Sequence, residues 1–287
     1  MLYFCSTIEE FNTLRSKLRP KQVGLVPTMG NLHDGHMSLV EKSLQENELT
    51  VVSIFVNPIQ FAKGEDFETY PRSLEEDLQK IEKTISKFKD EEKTVIVFAP
   101  SDEGEIYPKG FNDHVSAGKL GRILEGEVRP KHFDGVVTVV KRLFKITNPK
   151  IAYFGNKDFQ QVTLIRLMSE KEGLKVKVEG MPIVREKSGL AMSSRNSYLG
   201  QEQKVKGLAL YNSLQEISNL IKKGEGPEAV QVKINEILNR DKSFNYIEVR
   251  NANDLSVPKK FEGKLVVLGN YQVNKVRLID NIEVEVK

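Results

Sequence analysis

The feature that most constrains the fold is an alternation of short apolar runs with helical patterns through the first two-thirds of the chain. The runs are rich in Val, Ile, Phe and Leu, and they lie at residues 23–26, 50–56, 94–98, 151–154 and 175–178. Runs without polar alternation are typical of strands covered on both faces, and strands separated by helices form parallel sheets with crossover connections. The alternation therefore predicts an α/β fold built on a parallel sheet.

The pattern changes near residue 180, where helices and strands become segregated. Two helical segments are followed by three strand candidates, and these lie at residues 203–223, 227–239, 246–250, 265–268 and 276–279. Such segregation is typical of a small α+β domain. We therefore predict two domains, residues 1–180 and 181–287. The polar segment 191–196 lies where we expect the second domain to close over the first.

Composition excludes several classes of protein. Lys and Arg total 43 against 40 acidic residues, so the formal charge of +3 does not indicate a nucleic-acid-binding surface. No run of eighteen apolar residues occurs, and Glu9 and Glu10 interrupt the region where a signal peptide would be apolar. The single cysteine, Cys5, excludes an intramolecular disulfide and is interpreted as a small structural residue. We therefore expect a cytoplasmic protein with no membrane or nucleic-acid partner.

Half of the four histidines lie in one tetrapeptide, His33-Asp34-Gly35-His36, between an apolar strand and a helix predicted from Met37 to Glu46. The first N–H groups of a helix have no partners within the helix, and its dipole favours anions, so this junction suits phosphate binding. Zinc ligation and simple turn formation stay open as alternatives. A zinc site needs further ligands, and His114 and His132 are distant in sequence.

Polar residues also follow the other predicted strands. Asn57 to Phe61 come after the second run, Ala99 and Pro100 after the third, and Gly155 to Asp158 after the fourth. In open α/β sheets, ligands bind outside the carboxyl ends of the strands. We therefore expect these residues to lie at the edge of the sheet that binds ligand.

Taken in order, these motifs resemble the pantothenate synthetase family, the pantoate–β-alanine ligases. The segments that carry the resemblance are Val26 to His36, Phe55 to Phe61, Tyr70 to Arg72, Gly155 to Gln161 and Met192 to Asn196. The resemblance covers nearly the whole chain. It implies a Rossmann-like doubly wound parallel sheet with a smaller C-terminal α+β domain, and membership of the H-x-G-H nucleotidyltransferases. It also implies a homodimer.

The activity implied by the resemblance is the ATP-dependent condensation of (R)-pantoate with β-alanine through a pantoyl adenylate, giving pantothenate, AMP and pyrophosphate. A carboxylate needs such activation before it can form an amide, and no enzyme nucleophile is required. The implied partners are therefore the small molecules ATP, (R)-pantoate and β-alanine. The alternative is another H-x-G-H nucleotidyltransferase that adenylylates a phosphorylated small molecule. A binding module without turnover is a rival from another class.

The resemblance also implies roles for individual residues. The residues expected to bind ATP are Met29, Gly30, Asn31, Leu32, His33, Asp34, Gly35, His36, Gly155, Asn156, Lys157, Asp158, Val184, Met192, Ser193, Ser194 and Arg195. Among them, His33, His36, Lys157 and Arg195 are the candidate catalytic residues, with His36 at the proton-donor position. Both imidazoles can donate to phosphate oxygens, and the cationic side chains suit the charge on the phosphates.

The resemblance implies that Gln60 binds pantoate and β-alanine and that Gln161 binds pantoate. An amide suits this role because it offers both a donor and an acceptor. Asp77 is a candidate ligand for Mg²⁺, which prefers carboxylate, water and phosphate oxygens, although an exposed helical acid is an alternative interpretation. Arg129 and His132 are further candidates for active-site contacts.

The chain departs from the family pattern at two of these places. Position 156 is Asn where the family usually has Glu, which removes a charge beside Lys157 and puts any role of that side chain in doubt. Lys131 replaces a common glycine, so we expect the local turn to differ.

Overall fold

A computed structural model describes residues 1–88 and 91–286. The chain divides into two compact units, of which the first comprises Met1–Asn156 and Leu164–Pro182. The second comprises Lys157–Thr163 and the chain from Ile183 onward. The predicted division at residues 180 and 181 falls close to Pro182, whereas 157–163 group with the second unit although we assigned them to the first domain.

The first unit contains a six-stranded sheet within the described residues. Its strands in chain order are β1 (Leu2–Cys5), β2 (Val23–Thr28), β3 (Leu49–Ile54), β4 (Thr94–Phe98), β5 (Ile151–Gly155) and β6 (Lys177–Met181). Neighbouring strands are parallel, in the order β1-β4-β3-β2-β5-β6. This confirms the predicted α/β class with a doubly wound parallel sheet. The strand order reverses between β2 and β5, which is the switch point where such sheets bind ligands.

Helices connect these strands. They are α1 (Ile8–Leu18), α2 (Asp34–Glu46), α3 (Leu74–Ile85), α4 (Glu103–Ile106), α5 (Glu125–Val128), α6 (His132–Thr147) and α7 (Phe159–Lys171). α2 begins at Asp34, so the prediction of a helix from Met37 was wrong at its start. His33 caps the helix, and its imidazole Nδ1 accepts the backbone N–H of Gly35 at 3.1 Å. Histidine is outside the usual set of N-cap residues, which is why the sequence pattern did not indicate this start.

Close packing fixes α2 on the sheet. A Cβ at Gly24 of β2 would lie 2.2 Å from Oγ of Ser43 on α2, so only glycine permits this approach. The Ser43 hydroxyl is also hydrogen-bonded to Thr50 Oγ1 on β3 at 2.8 Å. Asn47, directly after α2, donates from Nδ2 to the Tyr153 hydroxyl of β5 at 2.8 Å. These contacts hold the last turn of α2 against the amino-terminal parts of β2 and β3 and the middle of β5.

The second unit has two long helices and an antiparallel sheet. These elements are α8 (Gln201–Lys222), α9 (Pro227–Arg240), β7 (Phe244–Asn251), β8 (Gly263–Val273) and β9 (Val276–Val286), with strand order β7-β8-β9. They confirm the predicted α+β class of this part of the chain. β8 is longer than predicted because it continues through Asn270, a polar residue that is fully buried. Within the described residues, no helix has the length and apolar composition needed to cross a bilayer.

Candidate active site

The H-x-G-H tetrapeptide forms the N-cap and first turn of α2, directly beyond the carboxyl end of β2. His33 and His36 complete a reciprocal cap, because His36 Nδ1 accepts the backbone N–H of His33 at 3.3 Å. The two ring centroids lie 4.1 Å apart. Since Nδ1 of each ring accepts a hydrogen bond, the neutral form of each imidazole carries its proton on Nε2. Each ring thereby has an Nε2–H group that suits a phosphate oxygen.

The turn that leads into this cap has an uncommon backbone conformation. Gly30 and Asn31 have φ of +81° and +49°, in the left-handed region that glycine and asparagine tolerate best. Asp77 of α3 holds this turn: its Oδ2 accepts the N–H of Asn31 at 2.9 Å, and its Oδ1 accepts the N–H of Leu32 at 2.7 Å. Lys80, one turn further along α3, donates to the Leu32 carbonyl at 2.8 Å. α3 therefore binds both the N–H groups and a carbonyl oxygen of this turn.

The position of Asp77 does not fit the predicted magnesium ligand. The side chain is fully buried, and each of its oxygens accepts a backbone N–H group. Mg²⁺ needs carboxylate oxygens that can face phosphate and water. Burial raises the pKa of Asp77, and the N–H groups of Leu32 and Asn31 oppose that rise by stabilising the charged form. No cluster of three metal-ligating side chains occurs among residues 1–88 and 91–286. The structure thus gives Asp77 a positioning role.

Gln60 lies in a short 3-10 turn after β3 and is almost fully buried. Its Oε1 accepts from Asn57 Nδ2 at 3.0 Å, and its Nε2 lies 3.1 Å from the sulfur of Met29, which belongs to the predicted ATP-binding segment. A Cβ added at Gly135 of α6 would come within 2.6 Å of Gln60 Cα, so α6 packs directly on this turn. The first unit therefore brings the predicted substrate-binding Gln60 beside the predicted nucleotide-binding Met29.

A chain of hydrogen-bonded side chains supports the Gln60 backbone. Glu65 pairs with Arg129 through two hydrogen bonds, of 2.7 Å from Nε and 2.6 Å from Nη2. Arg129 Nη1 lies 2.9 Å from His132 Nε2, and His132 Nδ1 lies 2.9 Å from the Gln60 carbonyl oxygen. Burial acts to raise the pKa of Glu65, but the guanidinium of Arg129 outweighs it and lowers that pKa to about 2. His132 thus contacts the backbone carbonyl of Gln60, and Arg129 supports that contact through His132.

The second unit contains another group of predicted ATP-binding residues. Lys157 is mostly buried, and its ammonium lies 3.5 Å from the carboxylate of Asp158. Val184 and Met192 are brought together, because the Met192 N–H donates to the Val184 carbonyl at 3.0 Å. Ser193 caps the 3-10 turn 194–198, where its Oγ accepts the N–H of Arg195 at 3.3 Å. Val184 and residues 192–195 therefore belong to one continuous structural segment.

Four other residues that the sequence analysis singled out have well-defined surroundings. Asn156 packs against β6, where a Cβ on Gly180 would lie 2.1 Å from its Oδ1. Gln161 is half-buried in the first turn of α7. Lys131 has φ of +67° immediately before α6, a left-handed conformation that explains why glycine suits this position. Burial raises the pKa of Cys5 to about 12, which keeps it a thiol in the core.

Sequence reasoning missed the positioning role of Asp77, although a signal was present. Leu74, Asp77, Leu78 and Ile81 follow helical spacing, so Asp77 lies on the apolar face of α3. A carboxylate on a buried face requires hydrogen-bond donors, and the backbone of a neighbouring turn can supply them. Glu65 carried no comparable signal because its partner, Arg129, is distant in sequence.

A doubly wound parallel sheet with a helix start beside its switch point defines a class, the α/β proteins that bind phosphate-bearing ligands outside the carboxyl ends of their strands. Within that class, the chain belongs to the pantoate–β-alanine ligase family, whose model matches residues 3–283.

Similar proteins cover nearly the whole chain. It is 46% identical over 278 residues to a pantothenate synthetase of Pseudothermotoga lettingae, covering 96% of each chain. It is 44% identical over 285 residues to one of Caldicellulosiruptor bescii, covering 98% of each. A crystal structure of the Thermus thermophilus enzyme is similar with a TM-score of 0.90 at 39% identity, covering both chains completely. The Francisella tularensis ligase, complexed with β,γ-ATP and β-alanine, has a TM-score of 0.71 at 32% identity, with coverage of 98% and 97%.

We predict that Asp77→Asn weakens the turn before α2, because an amide can present only one oxygen to the two N–H groups that the carboxylate accepts. The free energy of unfolding should fall by about 1–3 kcal/mol, and the KM for ATP should rise. Urea unfolding and steady-state kinetics measure these effects. Glu76→Gln, the same change on an exposed residue of α3, is the matched control. Equal behaviour of the two variants would contradict the positioning role.

We predict that Glu65→Gln destabilises the protein by about 1–3 kcal/mol at neutral pH, because Arg129 loses its charged partner. The pKa of Glu65 is depressed when folded, so the ion pair stabilises fully above the ordinary value of 4.5 and is lost as the pH falls toward about 2. The difference from wild type should therefore shrink between pH 5 and pH 2. Chemical denaturation across this range measures it, with exposed Glu68→Gln as control. A pH-independent difference would argue against the ion pair.

Proposed function

We propose that the protein condenses (R)-pantoate with β-alanine and consumes ATP, forming pantothenate, AMP and pyrophosphate through a pantoyl adenylate. The observation that carries the proposal is the family match over residues 3–283 on a fold that presents the H-x-G-H turn at its switch point. A relative complexed with β,γ-ATP and β-alanine supports the same substrates. The particular substrates and the order of steps are part of the proposal.

The chemistry requires two displacements. A pantoate carboxylate oxygen attacks the α-phosphorus of ATP, the bond between the α-phosphorus and its bridging oxygen breaks, and pyrophosphate leaves. The amine of β-alanine then attacks the acyl carbon, the C–N bond forms, AMP departs, and the amine loses a proton. Neither step needs a nucleophile from the protein. Orientation of the reactants and stabilisation of phosphate charge are what the protein must supply.

The residues that each unit contributes suit these tasks. We assign the Nε2–H groups of His33 and His36 to phosphate oxygens, with proton donation by His36. Lys157 and Arg195 stabilise the charge that develops on the departing pyrophosphate. Gln60 and Gln161 bind pantoate, and Gln60 also orients the amine of β-alanine. The sulfur of Met29 next to the Gln60 amide supports a common site for nucleotide and pantoate in the first unit.

Magnesium enters the proposal as the counter-ion of ATP, since phosphate oxygens and water are ligands that it prefers. A homodimer and a cytoplasmic location stay predictions. Sedimentation of the purified protein tests the first, with twice the chain mass of 32.6 kDa as the expected result. The alternative, adenylylation of a phosphorylated acceptor, is not favoured by the family match and would leave AMP within the product.

We predict that the purified protein exchanges labelled pyrophosphate into ATP only when pantoate is present. Adenylate formation is reversible and precedes the use of the amine, so β-alanine should be unnecessary for exchange. Omission of pantoate is the internal control. Label incorporation without pantoate, or dependence on a phosphorylated acceptor instead, would contradict the proposal.

We predict that His36→Ala lowers the rate of pantoyl-adenylate formation by about 10²–10⁴, the range for a positioned proton donor. Rapid-quench measurement of the adenylate isolates this step from amide formation. His114→Ala, which changes an exposed histidine, is the control and should retain the wild-type rate. An unchanged rate in His36→Ala would rule out the assigned role.

A further inference from the structure

We propose that two consecutive residues of β9, Asp280 and Asn281, are positioning residues for the ATP-binding segments of the second unit. The proposal rests on the proposed function, because it takes Lys157 and Asp158 in one segment, and Val184 and residues 192–195 in the other, to bind ATP. Both residues are almost fully buried, at 4% and 3% exposure, in a strand whose neighbours are mainly apolar. Buried polar side chains need partners, and the partners here lie in those two segments.

Asn281 fixes the first segment through its side-chain amide. Its Nδ2 donates to the backbone carbonyl of Lys157 at 3.0 Å. The Lys157 ammonium is separated from this anchored backbone by its flexible side chain, so the anchor determines the region that the ammonium can reach. β9 is paired with β8 throughout its length, and Asn281 lies opposite Leu268. The backbone of Lys157 is therefore tied to the rigid sheet of its own unit.

Asp280 fixes the second segment through Arg185. The guanidinium makes two hydrogen bonds to the carboxylate, 2.6 Å from Nη1 to Oδ2 and 2.9 Å from Nη2 to Oδ1. Its Nη1 also donates to the Gly189 carbonyl at 3.0 Å, and its Cζ lies 3.9 Å from the Tyr211 ring centroid. Arg185 forms a backbone bridge with Ala191. Asp280 therefore orients Arg185, and through Arg185 it holds both strands of the small hairpin 184–192.

This hairpin carries predicted nucleotide-binding residues at its base. Val184 directly precedes Arg185, and the Met192 N–H that bonds to the Val184 carbonyl directly follows Ala191. Asn196 extends the same support, because its Nδ2 donates to the Ala191 carbonyl at 3.0 Å. A buried ion pair contributes little net stability compared with a well-packed apolar pair, but its fixed geometry specifies one arrangement. We infer that the arrangement specified here is the one that binds ATP.

Asn281→Asp tests the first anchor, because it keeps the shape of the side chain and replaces the donor with an oxygen that repels the Lys157 carbonyl. We expect kcat/KM for ATP to fall by about 10- to 100-fold, as for a misplaced catalytic segment, and the Tm to fall as well because a carboxylate is buried without a donor beside Asp280. Asn274→Asp, the same change in the exposed turn between β8 and β9, should match wild type. Arg185→Lys keeps a charge but loses the two-point contact, and should lower kcat/KM for ATP in the same way.

Binding of a non-hydrolysable ATP analogue, measured by calorimetry, separates this inference from the proposed function because it requires no turnover. Analogue binding weakened in Asn281→Asp and Arg185→Lys but not in Asn274→Asp supports the inference. Unchanged analogue affinity and kcat/KM for ATP in either variant, or a lower Tm alone, overturns it. Failure of the wild-type protein to make the amide would instead contradict the proposed function, while the binding measurement would still decide the role of the anchors.

Discussion

The site in the first unit depends on a single buried carboxylate. Asp77 accepts the N–H groups of Asn31 and Leu32 on separate oxygens, and thereby holds a turn that includes two consecutive left-handed residues. Without these bonds, two N–H groups of the turn would lack hydrogen-bond partners. Nothing would then offset the strain of its left-handed conformation. Because His33 follows this turn directly, the orientation of both imidazoles depends on it. The two N–H groups offset part of the cost of burying this carboxylate, and the same bonds fix the turn.

The same solution recurs around the other predicted ligand-contacting residues. Within the first unit, Glu65 and Arg129 support the Gln60 backbone through His132. Within the second, Asp280 and Arg185 hold the hairpin that leads to Met192. In each case an arginine makes two hydrogen bonds to one carboxylate. Such a pair fixes the geometry of its neighbours but adds little to the free energy of unfolding. This fits a proposed reaction in which the protein orients substrates and stabilises charge but forms no covalent bond.

The sequence predicted the sheet well because buried parallel strands leave continuous apolar runs that helices separate. It missed β1 although residues 1–5 are apolar, because this strand has only four residues and lies at the edge of the sheet, where Leu2, Tyr3 and Phe4 are partly exposed. It placed the start of α2 three residues late because histidine is an uncommon cap. Asp77 was found but was assigned to a metal, since the sequence does not show which turn packs on the apolar face of α3. Contacts such as Arg129 with Glu65 join residues far apart in sequence, and local patterns contain no information about them.

The most direct test is amide hydrogen exchange, followed residue by residue by NMR, in the ligand-free protein. If Asp77 holds the turn, the amides of Asn31 and Leu32 should exchange far more slowly than those of the exposed residues Lys63 and Gly64. At least one of these two amides should lose this protection in Asp77→Asn, because the amide side chain keeps only one oxygen that can accept an N–H group. Rapid exchange at Asn31 and Leu32 in the wild-type protein, at the rate of exposed loops, would contradict the account, because the turn would then lack the internal bonds that position the histidines.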